Sequence, residues 1–145
     1  MRQIHPHRLW VGHVGDGRNF RALFDAGIEA VVQLAVDEPT VAMPRELISC
    51  RFPLVDGTGN RAEVLSMAIR TLATLVRFGI PTLVCCGSGL SRSPTVAAAA
   101  LALVSGAPPD ECLKIVVQGQ PGDVTPGLWK EIKEVFSSCR PTEAP

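Results

Sequence analysis

The chain has no tyrosine, only 5% aromatic residues and no excess of charge of either sign, since fourteen basic residues cancel fourteen acidic ones. Without a basic excess there is no broad face for nucleic acid or anionic lipid, so any anion must be attracted at a local site. Neither a nucleic-acid nor a membrane partner is expected. The five cysteines, Cys50, Cys85, Cys86, Cys112 and Cys139, lack the paired spacing of a zinc site or of a secreted disulfide framework, which points to a reducing, cytoplasmic setting. No uncharged apolar stretch reaches the roughly eighteen residues needed to span a bilayer, and the opening M-R-Q-I-H-P-H-R-L-W lacks the apolar run of a signal peptide. A soluble protein is expected. There is also no internal repeat and no long linker, so residues 1–145 read as one domain, with a tail frayed from Ser137.

What is present is an Ala/Val/Leu-rich alternation of strands and helices. Residues 8–14, R-L-W-V-G-H-V, read as a strand closed by a G-D-G turn. Asn19 is placed to cap a short helix with Phe20, Leu23 and Phe24 on one face and Gly27 as its stop. The β-branched run 28–36 predicts a central strand covered on both faces. Residues 37–46 form a loop or short helix around two prolines, 47–54 a third strand, and V-D-G-T-G-N a glycine-bearing loop. Apolar residues from Val64 to Val76 recur at helical spacing within 61–78. Residues 82–86 read as a fourth buried strand and 92–106 as an alanine-rich helix with a proline in its first turn. Two shorter helices are predicted near 109–118 and 126–137, joined by G-Q-P-G-D-V-T-P. The sum is an α/β fold, a mainly parallel central sheet of four to five strands flanked by helices.

The stretch L-V-C-C-G-S-G-L-S-R-S-P-T, residues 83–95, carries the chemistry. In open α/β sheets, ligands gather beyond the carboxyl ends of strands. Here a strand ending at Cys86 feeds a glycine-bearing loop, Gly87, Ser88, Gly89, Leu90 and Ser91, and then a helix from Arg92. Such a loop can present backbone N–H groups to a phosphate-sized anion, and the helix start adds its positive end. The same field favours a thiolate, and Cys86 is placed to be it. Arg92 closes the loop with a planar guanidinium able to fork onto two phosphate oxygens, where lysine would offer a point charge. Counted the same way, Cys85 would be matched with Ser91, which cannot do this.

The pattern Cys-x5-Arg followed by Ser resembles the signature of the cysteine-dependent protein tyrosine phosphatases, most closely their dual-specificity branch. I-H-P-H-R-L-W-V-G looks like that family's opening strand, F-R-A-L-F-D-A-G-I-E-A-V-V-Q-L-A like its first helix and second strand, and F-P-L-V-D-G-T-G-N like its general-acid segment. The resemblance spans about residues 4–136. It implies a phosphatase acting on phosphotyrosine, phosphoserine or phosphothreonine proteins, or on small phosphomonoesters, through a phosphocysteine. Cys86 would be the nucleophile, Arg92 the phosphate clamp, Asp56 the general acid and then base, and Ser93 a hydroxyl donor to the sulfur. Residues 87–92 would bind the phosphate. No metal or organic cofactor is implied, and a monomer is expected.

The family usually carries histidine just before the nucleophile; here that position is Cys85, read as a small buried hydrophobe on its strand. Cys50, on a neighbouring strand, is a candidate to resolve a sulfenic acid on Cys86. Asp37 and Asp123 stand as alternative acids, and Asp56 could instead only cap its turn. His5 and His7 read as solvated rather than as metal ligands, and Trp10 and Trp129 as packing residues. The segment Q-P-G-D-V-T-P-G resembles the family's later proline-bearing loop, but with Gly127 in the place of an asparagine. Two other functions compete: a pseudophosphatase that binds phosphorylated partners, and a rhodanese-like sulfurtransferase.

Overall fold

The computed structural model describes residues 1–120 and 123–139. Among the described residues five strands and six helices follow in the order β1 Arg2–Gln3, β2 Leu9–His13, α1 Val14–Arg18, α2 Phe20–Asp25, β3 Ala30–Ala35, β4 Ile48–Leu54, α3 Ala62–Arg77, β5 Thr82–Cys86, α4 Arg92–Ser105, α5 Pro109–Val116 and α6 Pro126–Cys139. The strands form one sheet in the order β1-β2-β5-β3-β4. All pairings are parallel except that of the two-residue β1 with β2. The expected α/β fold with a mainly parallel sheet is therefore present, and β5, which ends at Cys86, lies at its centre.

Side chains alternate across a strand, and the two cysteines that end β5 diverge accordingly. Cys86 joins the larger core, packed with Val84, Leu65, Ile69 and Leu72 and the alanines of α4, while Cys85 joins the smaller cluster of Leu23, Ile28, Val31, Leu47 and Leu83 on the other face. β3 and β5 are almost wholly buried because both faces are covered. Helix α4 explains its own composition: every residue from Arg92 to Ala102 is buried, and only alanine lets a helix surrounded on all sides approach its neighbours so closely. Its contacts run to α3, α5, α6 and the sheet.

Strand β4 is an edge strand with alternating exposure. Its register on β3 shifts between Gln33 and Ala35, which face Arg51 and Leu54. The extra residue falls at Phe52 and Pro53, and proline, lacking an N–H, is accommodated at such a bulge on an edge. Beyond it the Leu54 carbonyl accepts from Val36 N at 3.2 Å.

Three expectations are corrected. G-D-G does not close a turn: Val14–Arg18 is a helix, begun by His13, whose Nδ1 accepts from Gly15 N while Asp16 accepts from His13 N. That reciprocal pair is a capping box formed by His and Asp, a chemistry that a Ser/Thr-Glu search passes over. Residues 37–46 form a loop, one of the two forms expected of them. Phe24 is 46% exposed and does not share the buried face of Leu23. Ser137 does not begin a frayed tail, because α6 runs to Cys139, whose buried Sγ lies 3.3 Å from Ser66 Oγ. The Asn19 cap stands as expected, its Oδ1 accepting from Ala22 N at 3.2 Å. Pro121 and Gly122 of the loop before α6 lie outside the described residues, as does the tail from Arg140.

Candidate functional site

The loop 87–91 joins the end of β5 to the start of α4 at the centre of the sheet. Its glycines are there for two different reasons. At Gly87 a Cβ would stand 3.1 Å from Arg92 Nη2, so the absence of a side chain lets the guanidinium lie against the loop. Gly89 has φ +77°, a conformation costly for other residues, and a Cβ there would also come within 2.9 Å of the Gly12 backbone.

Cys86 is 2% exposed, and its Sγ accepts a hydrogen bond from Ser93 N at 3.4 Å. Arg92 and Ser93 are also buried. The role expected of the Ser93 hydroxyl is not what the geometry shows: Ser93 Oγ donates to the Gly12 carbonyl at 3.3 Å, and it is the backbone N–H of the same residue that meets the sulfur. The reason is the helix itself, whose first amides have no intrahelical partner and point back at the strand end.

Arg92 is held from outside the loop. Its Nη1 donates to Asp37 Oδ1 at 2.6 Å and to the Leu54 carbonyl at 3.0 Å. Burial opposes the guanidinium charge, but the hydrogen bond and attraction of Asp37 outweigh it, and the pKa of Arg92 stands above its ordinary value. The same bond lowers the Asp37 carboxyl below the usual carboxylate range. Asp37, considered above as an alternative acid, is thus the ion-pair partner of the arginine. Asp123 is exposed.

Asp56 lies on the exposed loop after β4, close enough for its charge to favour ionised Arg92. Its Oδ1 accepts from Thr125 Oγ1 at 2.8 Å, and Thr125 N in turn donates to Ser91 Oγ at 3.0 Å. The rest of that loop is pinned by two residues. Asn60 Oδ1 accepts from Val55 N, and its Nδ2 donates to the carbonyls of Val55 and Gly57. Glu131, on α6, accepts from Gly59 N at 2.7 Å and from Asn60 N at 3.3 Å. At Gly127 a Cβ would fall 2.8 Å from Thr58 Cγ2, so the glycine standing in place of the family's asparagine lets α6 close onto the loop.

Cys85 is 3% exposed; burial, and next the neighbouring Cys86, push its thiol up to about 12. It is a neutral core residue, as the sequence indicated. Cys50 is not on the strand next to β5: β3 intervenes, and Cys50 is level with Val84 through Val32. Two strand spacings of about 4.8 Å and a further two residues along the strand separate it from Cys86. That exceeds the roughly 7 Å a disulfide tolerates between Cα atoms, so Cys50 is not placed to resolve Cys86. Trp129 is buried in the core with its Nε1 donating to Asp110 Oδ1 at 2.8 Å, and Trp10 packs against the smaller cluster. Among the described residues no three His, Cys, Asp or Glu side chains converge as a metal site, and no helix is long and apolar enough to cross a membrane.

The sequence reading missed Asp37 as a partner of Arg92, and it missed Thr125, Asn60 and Glu131 altogether. Only Thr125 carried a local signal, as a threonine before proline at the start of a helix.

The architecture is that of the dual-specificity protein phosphatases, with the strand–loop–helix turn at the centre of the sheet. Human DUSP28 superimposes with a TM-score of 0.81 at 21% identity, over 95% of this chain and 96% of that one. A mouse putative dual specificity phosphatase complexed with zinc tungstate matches at TM-score 0.80 and 24% identity, over 94% and 86% of the two chains. Tk-PTP in its active form matches at TM-score 0.62 and 29% identity, over 82% and 84%. No family model and no curated protein sequence matches the chain.

Proposed function

We propose that the protein is a phosphoric monoester hydrolase of the dual-specificity phosphatase type, acting on phosphorylated proteins or small phosphomonoesters through a phosphocysteine. The observation that carries this reading is the pair of buried groups at the two ends of one short loop, the Cys86 thiol and the Arg92 guanidinium, with the Ser93 N–H on the sulfur. A planar guanidinium fixed at the far end of the loop by its own carboxylate suits bidentate recognition of phosphate oxygens.

In the first step the Cys86 sulfur attacks phosphorus, the S–P bond forms and the ester P–O bond breaks. Arg92, with Nη1 anchored by Asp37 and Leu54, holds the equatorial oxygens through the transition state, where charge spreads over them. Asp56 delivers a proton to the departing oxygen. In the second step the same carboxylate takes a proton from water as the water oxygen attacks phosphorus, and the sulfur leaves as thiolate, received by the Ser93 N–H. Cys85, neutral and on the opposite face, lends this sulfur no positive charge.

Hydrolysis of p-nitrophenyl phosphate by the wild type and by Cys86→Ser tests the reading. Turnover by the wild type, with a loss of about 10⁴-fold or more in Cys86→Ser, is expected. A wild-type protein that binds tungstate at this loop without hydrolysing the ester would instead be a binding module for phosphorylated partners.

A further inference from the structure

We infer that Thr125 is a positioning residue for proton transfer, tying the orientation of the Asp56 carboxylate to the phosphate-binding loop; this rests on the phosphatase reading above. Thr125 touches both halves of the site with different groups. Its backbone N–H donates to the hydroxyl of Ser91, the buried residue beside Arg92, and its side-chain hydroxyl donates to Asp56 Oδ1 at 2.8 Å.

The anchoring of Thr125 itself makes this contact directional. Its carbonyl accepts from Trp129 N at 3.1 Å and so opens α6, and Pro126 follows with its fixed φ. A β-branched side chain on a backbone so constrained has few rotamers open to it. The hydroxyl direction is therefore set before substrate arrives. Asn60 and Glu131 secure the backbone of the acid loop, whereas the Thr125 bond acts on the carboxylate. With Oδ1 engaged by the threonine, Oδ2 is the oxygen that exchanges a proton with the leaving group and then with water. The loop 55–60 is exposed at Val55, Asp56 and Thr58, so without this bond the carboxylate would sample several rotamers.

The test compares Thr125→Val, which keeps the shape and the backbone N–H but lacks the hydroxyl, with Thr125→Ser, which restores it. Each is made in the wild type and in Asp56→Asn, and kcat and KM are measured with phenyl phosphate and p-nitrophenyl phosphate. Thr125→Val is expected to lower kcat for phenyl phosphate about tenfold, the scale of one hydrogen bond to a charged group. It should lower kcat less for p-nitrophenyl phosphate, whose leaving group departs without help, and leave KM unchanged. Thr125→Ser should recover most of the loss, and in Asp56→Asn the valine should add almost nothing. A similar fold-loss from valine in both backgrounds, or none in either, would overturn the inference. Failure of the wild type to hydrolyse either ester would instead overturn the phosphatase reading on which it stands.

Discussion

The two halves of the site are built in opposite ways. The half that would hold phosphate is one continuous segment, Cys86 to Ser93, buried at both ends and carried by the central strand and the helix that follows it. The acid half is an exposed loop whose alignment comes from a distance: Thr125 is 69 residues from Asp56, and Glu131 is 72 from Gly59. The first is laid down by local order and two glycines, with Arg92 anchored from outside by Asp37 and the Leu54 carbonyl; the second exists only once α6 has packed across α3 and α4. The nucleophile should therefore survive small perturbations that disable proton transfer.

Substitutions on either side of that division should separate in size. The largest effect is expected at Cys86→Ser, which removes the nucleophile from the continuous half. Asp56→Asn comes next, with a fall in kcat of about 10²-fold, the lower range for general acid–base help. That fall should be steeper for a phosphoserine peptide than for p-nitrophenyl phosphate, because an alkoxide leaves poorly without a proton. An equal loss for both substrates would remove Asp56 from the acid role.

Glu131→Gln should act more weakly, since glutamine keeps a carbonyl acceptor for Gly59 N but loses the charge that strengthens the bond. A fall in kcat of about two- to fivefold is expected, together with faster amide hydrogen exchange at Gly59 and Asn60 and unchanged exchange in β5 and α4. Loss of protection spread over the whole core would contradict a local clamp.

The smallest effect concerns the ion pair that anchors Arg92 from outside its loop. Asp37 has its folded pKa depressed below the ordinary 3.8 by Arg92. A depressed carboxylate pKa contributes stability that is present above the unfolded value and is lost as pH falls through the lower folded value. Asp37→Asn should therefore lower Tm at pH 7 and change it little at about pH 2. Because the Asp37 side chain is 64% exposed, solvent screens the pair and the shift at pH 7 should be only about 1–2 °C. A larger loss at pH 2 than at pH 7 would reverse the assigned sign.

The contrast between the halves also explains what could be read from the sequence. Continuous apolar runs, the long amphipathic run and the alanine-rich stretch placed β3, β5, α3 and α4 within a residue or two, and the Cys86–Arg92 spacing selected the loop between β5 and α4. These signals are local, and the buried environment agrees with them. The short helix α1 was read as a turn because its two glycines are poor helix formers; tertiary packing and the His13–Asp16 cap override that preference. Asp37 was read only as an alternative acid for another reason. Asp37 follows its strand as any loop aspartate does, and only the bulge at Pro53 and the parallel pairing of β3 with β4 bring it and the Leu54 carbonyl to the guanidinium. Likewise, nothing near Asp56 in the chain announces Thr125 or Glu131. At Ser93, residue type suggested a side-chain donor to the sulfur, whereas in the structure the hydroxyl donates to the Gly12 carbonyl and the backbone N–H meets the sulfur.

The most direct measurement is rapid-quench mass mapping of the protein during turnover of p-nitrophenyl phosphate, with Asp56→Asn included to slow the second step. Phosphate covalently attached to the peptide containing Cys86, accumulating further in Asp56→Asn and absent from Cys86→Ser, is the expected result. Steady turnover with no phosphate on Cys86, or with Cys86→Ser still active, would contradict the assignment of this thiol as the nucleophile.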